Sequence, residues 1–512
     1  MKTTPKTSNL FHSKLTAGAF AALAPALISL TLTYTASAAT ETWDGGHGTV
    51  NYWFANTNWA DNTAPVDGDD LVFTGTTRLN HFSWADLDAT SPSDFIVNSI
   101  TFDADAGAFV ISNGGPGGST IKLQGDITND DADLQTLNFN FQLNGGNRTV
   151  NTSAGDIAIG GIISQDVAGL SLTKAGSHTL TLSGANTHTS TKIGATNGVT
   201  AGTVSIRNNA ALGTGNLDYG AGGTLQLGVN GLSVANGIFV GNRIDTAART
   251  IQLDLAGSNT GELTGNIDIR VDQVGEFVAD VGTDDTLTFS GNLVTGAGGN
   301  AGLTKAGAGT LVLEGTNTYV GATTVNDGTL IVDGNSSGVA GNVTIASGAT
   351  LGGSGTIGGA TTIQSGATLA AGNSPGVLTF NDDLTLSAGS DTVMEITGTT
   401  RDSQYDGIDV GGLLTYGGAL TITSIAEIAD GTYDLFGING TEGGDFATVV
   451  LSGVASSDAF SLSSDMWTAI VGSKTYSFSQ ITGDLTVVPE PETFALLGGL
   501  LALGYVMVRR RR

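Results

Sequence analysis

Short runs in which apolar and polar residues alternate are the main pattern along this chain. Leu180 and Leu182 alternate with threonine and serine, and Val204 and Ile206 alternate with serine and arginine. Because successive side chains of a strand point to opposite faces, this pattern predicts short strands with one face in a core and the other in water. Gly, Asn and Asp, which tolerate the backbone conformations of tight corners, separate the runs. We therefore predict an all-β fold.

Part of this pattern occurs twice. Residues 172–184 match residues 303–315 at an offset of 131, and residues 202–206 match residues 328–332 at an offset of 126. The first copy (172–206) therefore carries a five-residue insertion relative to the second (303–334), which we expect to be a loop. Internal similarity of this kind is typical of solenoids, in which each unit buries its apolar face against its neighbours.

A shorter period follows the second copy. Residues 347–351 return as residues 365–369, at an offset of 18. Within this stretch, apolar residues recur every sixth position: Val339, Ile345, Leu351, Ile357, Ile363 and Leu369. This spacing predicts three short sides per coil, each sending one residue into the core.

The repeated unit resembles a known family. The segment 303–330 reads Leu-Thr-Lys-x-Gly-x-Gly-Thr-Leu-x-Leu-x-Gly-x-Asn-x-Tyr-x-Gly-x-Thr-x-Val-x-x-Gly-Thr-Leu, and it resembles the autotransporter-associated β-strand repeat of bacterial surface proteins. In the first copy, His178 replaces a glycine of this pattern and His188 replaces the tyrosine. The resemblance implies a right-handed parallel β-helix, a passenger-type surface structure and no assigned chemistry.

The two ends of the predicted solenoid differ from its middle. Residues 39–94 form a segment that holds four of the five tryptophans. These are Trp43, Trp53, Trp59 and Trp84. Exposed tryptophans could stack on sugar rings, but we favour an aromatic cap, because an uncovered solenoid end would aggregate through its strand edges. We assign 95–450 to the β-solenoid and 451–487 to C-terminal strands that form a second cap.

The N-terminal 38 residues have the features of a signal peptide. Basic residues precede a largely apolar run over 15–32, and Ala36 and Ala38 supply the small residues that a signal peptidase needs. We expect cleavage after Ala38 and export. A short membrane anchor is the alternative.

The C-terminal segment 488–512 resembles the PEP-CTERM sorting domain, since a proline-bounded motif, an apolar span and a basic end follow one another. The motif consists of Val488, Pro489, Glu490 and Pro491, and the predicted stop-transfer residues are Arg509, Arg510, Arg511 and Arg512. The resemblance implies recognition by an exosortase-type membrane protease that cuts near the motif, and a Gram-negative-type envelope, often with exopolysaccharide export.

The apolar span 494–508 predicts a short transmembrane sorting helix, with membrane contact only through this tail before processing. Its 15 residues correspond to about 22 Å of helix, which is short against the roughly 30 Å of bilayer hydrocarbon. The cationic end is expected on the cytoplasmic side. A plain membrane anchor is the alternative, and we expect sorting of this kind in place of self-translocation through a barrel.

Composition restricts the possible partners. The formal net charge is −28, which disfavours nucleic acid as a partner. Cysteine is absent, so that disulfides and thiolate metal sites are excluded. Bridging by divalent cations and attraction to cationic surfaces remain open.

Few residues suggest chemistry. Asp402, Asp406 and Asp409, next to Arg401, form the best acidic group, which we interpret as a solvated turn and not as a catalytic or calcium site. The segment 67–70 is a weak calcium candidate. His178 and His188 lack metal-ligand spacing and are expected to be surface substitutions within the repeats. We assign no catalytic, cofactor-binding or metal-binding residue.

These observations favour a non-enzymatic, exported β-solenoid with a structural or adhesive role. We expect it at the cell surface, in the outer membrane or in the extracellular matrix of a Gram-negative-type bacterium. Extracellular polysaccharide or other surface proteins are the expected partners, besides the exosortase-type protease. The alternative is a carbohydrate-active enzyme or carbohydrate-binding protein on the same scaffold.

Overall fold

The computed structural model describes residues 38–83, 94–113, 120–194, 201–220, 222–241, 247–269, 276–296, 301–453 and 458–510. The predicted signal peptide up to residue 37, Trp84, and Arg511 and Arg512 lie outside the described residues. Residues 195–200, which lie between the two halves of the first repeat copy where the insertion is predicted, do so as well.

The described chain is an all-β parallel solenoid, as predicted. Its parallel strands form four sheets, in which each strand pairs with the equivalent strand of the next coil. The first sheet has 14 strands: Thr40–Trp43, Asp69–Phe73, Asp94–Phe102, Thr120–Leu123, Ile127–Asn129, Asn140–Leu143, Arg148–Thr152, Ile163–Gln165, Ser171–Ala175, Ser190–Ile193, Leu217–Tyr219, Ile238–Val240, Ile267–Ile269 and Leu293–Val294.

The second sheet is the longest stack. It has 16 strands: Asn80–Ser83, Val110–Asn113, Gln135–Asn138, Ile157–Ile159, Thr179–Leu182, Thr203–Ile206, Gly223–Leu227, Arg249–Leu253, Phe277–Val281, Leu303–Ala306, Thr323–Val325, Val343–Ile345, Thr361–Ile363, Leu384–Leu386, Leu413–Tyr416 and Thr441–Gly444.

The third and fourth sheets begin further along the chain. The third sheet has 11 strands: Leu232–Val234, Thr260–Leu263, Thr286–Phe289, Thr310–Leu313, Thr329–Val332, Thr350–Gly353, Thr368–Ala371, Asp391–Glu395, Ala419–Thr423, Thr448–Ser452 and Asp458–Ala459, the last of which pairs antiparallel. The fourth sheet has five strands: Asn335–Ser336, Thr356–Ile357, Val377–Phe380, Gly407–Val410 and Phe436–Ile438.

The six-residue spacing predicts the coil geometry correctly. Val343 pairs with Thr361 in the second sheet, and Thr350 pairs with Thr368 in the third sheet. One coil here is therefore as long as the offset between the matching segments 347–351 and 365–369. All six apolar residues of the predicted period are buried: Val339, Ile345, Leu351, Ile357, Ile363 and Leu369. Coils elsewhere are longer, as where Leu384 pairs with Leu414.

Aromatic residues fill the core at the N-terminal end. Trp43 packs edge-on against Trp59, with ring centroids 5.4 Å apart, and stacks on His81 at 4.4 Å. Trp53 donates its indole hydrogen to Nδ1 of His81 over 2.9 Å, and the short 3₁₀ helix Asn56–Asn58 leads into Trp59. The three tryptophans are at most 2% exposed, which supports the packing interpretation and leaves their rings unavailable to sugars.

An antiparallel fifth sheet takes four of its five strands from the chain after the solenoid, and the other strand from between two solenoid strands. Its order is Gly431–Asp434, Asp484–Pro489, Lys474–Ser479, Met466–Val471 and Ser461–Ser463. Tyr416 of the solenoid donates its hydroxyl hydrogen to the carbonyl of Gln480 over 3.1 Å, and its ring packs against Phe436 and Phe446. Phe478 of the fifth sheet packs against Phe436 and Phe446, with ring centroids 6.0 and 6.2 Å apart, so that aromatic packing joins the last coils to this sheet.

The C-terminal tail is an α-helix over Pro491–Arg510. Among the described residues, however, no helix is sufficiently long and apolar for a membrane crossing. The helix contains Glu492, Arg509 and Arg510 in addition to the apolar run over 494–508. The structure thus agrees with a helix in the tail and does not support the predicted transmembrane character.

Candidate functional site

The repeat copies bury an equivalent lysine on the core side of a strand. Lys174 lies in Ser171–Ala175 and Lys305 lies in Leu303–Ala306, and both are fully buried. Each ammonium donates to three backbone carbonyls, which matches its three hydrogens. The acceptors are those of Ala175, Gly176 and Ala201 for Lys174, and those of Ala306, Gly307 and Asp327 for Lys305.

Burial lowers the pKa of Lys174 to about 7 and that of Lys305 to about 8. These two lysines are not among the residues predicted from the sequence. Their position could have been found, because Lys174 is in phase with buried Leu172, and Lys305 with buried Leu303. The third acceptor of each lysine lies on the following coil, so that the ammonium ties two coils together.

An asparagine forms the second equivalent contact. The side-chain oxygen of Asn186 accepts the backbone N–H of Ile163 over 2.7 Å, and that of Asn317 accepts the N–H of Leu293 over 2.9 Å. Asn186 donates its amide hydrogen to the carbonyl of Ala211 over 2.7 Å. Asn186 therefore reaches back to the preceding coil and forward to the next one.

His188 and Tyr319 form the third equivalent contact. The ring Nε2 of His188 bonds to the hydroxyl of Thr191 over 2.9 Å, and the hydroxyl of Tyr319 bonds to that of Thr323 over 2.5 Å. His188 is fully buried, so the prediction that it is a surface substitution was wrong, whereas His178 is exposed. Burial lowers the pKa of His188 to about 4 and raises that of Tyr319 to about 12.

The predicted acidic group is more ordered than a solvated turn. Asp406 is 3% exposed, and its two carboxylate oxygens accept the backbone N–H groups of Gly376 (3.0 Å) and Glu395 (2.6 Å). Burial raises the pKa of Asp406 to about 6. Asp406 was therefore wrongly predicted to be solvated, because the local sequence does not show that two distant N–H groups converge on it.

Arg401 ties the other members of this group to a neighbouring strand. Its guanidinium lies 2.6 Å from a carboxylate oxygen of Asp409, and its Nε donates to the carbonyl of Asp434 over 2.9 Å. Asp402 remains exposed, as predicted. The group is thus a structural brace between the fourth and fifth sheets.

The weak calcium candidate at 67–70 is also used in backbone contacts. The carboxylate of Asp69 accepts the N–H groups of Ala39 (3.0 Å) and Val66 (2.7 Å), and Asp67 accepts that of Ile96 (3.0 Å). Within the described ranges, no group of three or more His, Asp or Glu side chains is arranged to hold a metal ion.

The predicted sorting motif is partly built into the fifth sheet. Val488 pairs with Thr475, and Pro489 pairs with Lys474. Glu490 donates its backbone N–H to the carbonyl of Ser473 over 2.8 Å, and Pro491 begins the helix. At the other end of the described chain, Ala38 is exposed and precedes the first strand.

A groove of about 380 Å³ lies on the outer side of the third sheet. Glu262 and Glu314 line it together with Ser233, Thr260 and Thr288. The carboxylate of Glu262 accepts hydrogen bonds from the hydroxyls of Ser233 (3.2 Å) and Ser290 (2.5 Å). The groove therefore combines two acidic side chains with hydroxyl groups, and it is the feature that an enzymatic role could use.

Comparison with known proteins agrees with the repeat interpretation. Residues 172–206 and 303–332 match the family described as passenger-associated-transport-repeat. The chain is also similar to the adhesin BmaC autotransporter of Brucella suis biovar 1 (strain 1330), with 32% identity over 216 residues. This match covers 38% of the present chain and 5% of the relative. The fold and these similarities support the prediction of a β-solenoid that contains repeats of this family.

Proposed function

We propose that this chain is an exported β-solenoid that acts at the bacterial surface in an adhesive or structural role. The observation that carries the proposal is that the two repeat copies place Lys, Asn and His or Tyr side chains at equivalent positions. In both copies these groups are buried and hydrogen-bonded within the fold, so that they maintain the coils and are unavailable for reaction. The similarity to an autotransporter adhesin supports the same role.

Deletion of the coding sequence in the native bacterium tests this role. We expect wild-type cells to expose the protein to added protease and to adhere to surfaces more than the deletion strain, with adhesion restored by complementation. Unchanged adhesion together with an internal, protease-protected protein would contradict the proposal.

We further propose that export and sorting use the two ends of the chain. A signal peptidase would cut after Ala38, and an exosortase-type protease would recognise residues 488–491. Mass spectrometry of the mature protein tests both steps, because it reports both termini. We expect accumulation of an uncut species when Glu490 is replaced by Ala. Replacement of Glu442, an acidic residue outside the tail, should leave processing unchanged. A mature protein that retains residues 491–510 would contradict the sorting step.

A carbohydrate-active enzyme is the second candidate, and the groove with Glu262 and Glu314 favours it. Incubation of the purified protein with polysaccharides would then produce new reducing or unsaturated ends. Loss of this turnover in both Glu262→Gln and Glu314→Gln would establish the enzymatic role. Binding without turnover supports the adhesive role.

A further inference from the structure

The outer face of the second sheet carries a column of residues, nearly all threonine, along eleven of its 16 strands. Each is half-buried and stands next to a buried residue of its own strand, so that its side chain points outwards. Eleven consecutive strands contribute ten threonines and one valine to the column: Thr179, Thr203, Thr224, Thr250, Val278, Thr304, Thr324, Thr344, Thr362, Thr385 and Thr415.

The hydroxyls of this threonine column are available. None of them bonds to another residue in the part of the chain that the structure describes. Since neighbouring strands are about 4.8 Å apart, the column spans about 48 Å and presents a methyl group at each strand and a hydroxyl at every strand except that of Val278. Each hydroxyl can both donate and accept a hydrogen bond.

A second polar column lies beside the first in the earlier coils. Ser205, Gln226, Gln252 and Asp280 are paired in register, each two residues beyond a member of the threonine column. The amide of Gln226 donates to Gln252 over 3.2 Å, and the amide of Gln252 donates to Asp280 over 3.0 Å. Ser205 is buried, so this part of the face offers the hydroxyls of the threonine column, the amides of Gln226 and Gln252, and one carboxylate, that of Asp280.

The third sheet lacks this uniformity. Its corresponding column has six threonines, Thr260, Thr286, Thr310, Thr329, Thr350 and Thr368. It is then interrupted by Asp391. The adjacent column contains Glu262, Val312 and Ile331. This adjacent column therefore carries large apolar side chains, and the threonine column of the third sheet is shorter than that of the second sheet, with six threonines against ten.

We propose that the threonine column is a binding surface for a neutral, linear polysaccharide that lies along the stack. A regular row of uncharged donors and acceptors matches a polymer with a regular row of hydroxyl groups. The net charge of −28 repels anionic polymers, and it also disfavours a second copy of this chain as the occupant. This inference rests on the proposed surface function, since the ligand would lie outside the cell.

Binding of the purified protein to defined glycans tests the proposal. The probes are laminarin and dextran, which are neutral, alginate, which is anionic, and chitosan oligosaccharide, which is cationic. The test variant combines Thr324→Val, Thr344→Val and Thr362→Val, which remove three hydroxyls while keeping side-chain shape and strand preference. The matched control combines Thr310→Val, Thr329→Val and Thr350→Val on the third sheet.

We expect at least one neutral glucan to bind, with an affinity that falls at least tenfold in the test variant and changes less than twofold in the control. Equal loss in the two variants, or binding of alginate or chitosan alone, would overturn the proposal. So would the absence of neutral-glucan binding, or a dimer that only the test variant abolishes. If the test variant restores adhesion to the deletion strain as fully as wild type, the ligand assignment fails while the surface function stands.

Discussion

The first repeat copy has His188 where the second has Tyr319, and this difference gives a specific prediction about stability in acid. The two side chains occupy equivalent buried positions, but only histidine can gain a proton in mildly acidic solution. The folded state holds the pKa of His188 at about 4, against an ordinary value of 6.5. Its neutral form is therefore favoured on folding, so that the stability it contributes is present above pH 6.5 and is lost as the pH falls towards 4.

The size of this effect follows from the two pKa values. When the pH falls from 7.5 to 4.5, the preference of His188 for its neutral form in the folded state should lower the free energy of unfolding by about 2.5 kcal/mol. The variant His188→Tyr should lack this loss, and the reciprocal variant Tyr319→His should gain a second one. A packing cost of either substitution is common to both pH values, and it therefore cancels in the comparison.

Urea unfolding followed by circular dichroism at the two pH values measures this difference. Because coils of a solenoid can open separately, hydrogen exchange of peptides covering 179–206 and 310–332 should accompany it, corrected for the intrinsic rate at each pH. If wild type and His188→Tyr lose the same stability on acidification, His188 is not held neutral by burial, and the reasoning is refuted.

Three further predictions concern other buried groups and one corner. The pKa of Asp406 is raised from 3.8 to about 6, so its contribution to stability is greatest below pH 3.8 and is lost as the pH rises through 6. Wild type should therefore lose at most about 3 kcal/mol of unfolding free energy through this group between pH 3.5 and 7.5. Asp406→Asn should remove this loss, as measured by urea unfolding. Asn317→Ala should lower the free energy of unfolding by about 1–3 kcal/mol, because it leaves the N–H of Leu293 unpaired. The control Asn326→Ala, at an exposed position, should change it by no more than about 0.5 kcal/mol in the same assay. Equal losses in the two variants would contradict the role of the buried amide. Gly328→Ala should lower the midpoint of thermal unfolding more than Gly348→Ala. Both glycines have positive φ, so the backbone strain is common to the two variants. Only at Gly328 would the new Cβ clash, because it would lie 2.3 Å from the carbonyl oxygen of Gly309, whereas a Cβ at Gly348 meets open space.

Much of the solenoid could be predicted from the local pattern of apolar and polar residues, because the alternation and the coil length depend on residues that are close along the chain. Ile345, Leu351 and Ile357 show this, since a six-residue phase is sufficient to place each of them in the core. The prediction for His188 was wrong and Lys174 was missed, because polar residues in an alternating strand usually face water. Lys174 and His188 are polar yet stand at core positions, because carbonyl and hydroxyl partners satisfy them there.

The candidate sites were harder to predict for a related reason. The partners of Asp406 lie 30 and 11 residues away along the chain, and only folding brings Gly376 and Glu395 to its carboxylate. The threonine column likewise depends on the register of eleven strands with unequal spacing. No fixed sequence period reveals it, because Thr344 and its partner Thr362 are much closer along the chain than Thr385 and its partner Thr415.

The five-residue difference between the repeat copies shows how such a chain can change. Leu180 pairs with Val204 in the second sheet, whereas Leu311 pairs with Leu330 in the third sheet across a shorter stretch of chain, and both pairings are parallel and without a register shift. Insertions between strands are thus absorbed without disturbing the layers above or below. Evolution or protein engineering can therefore insert a new peptide into a single coil, and can add complete coils in a separate step.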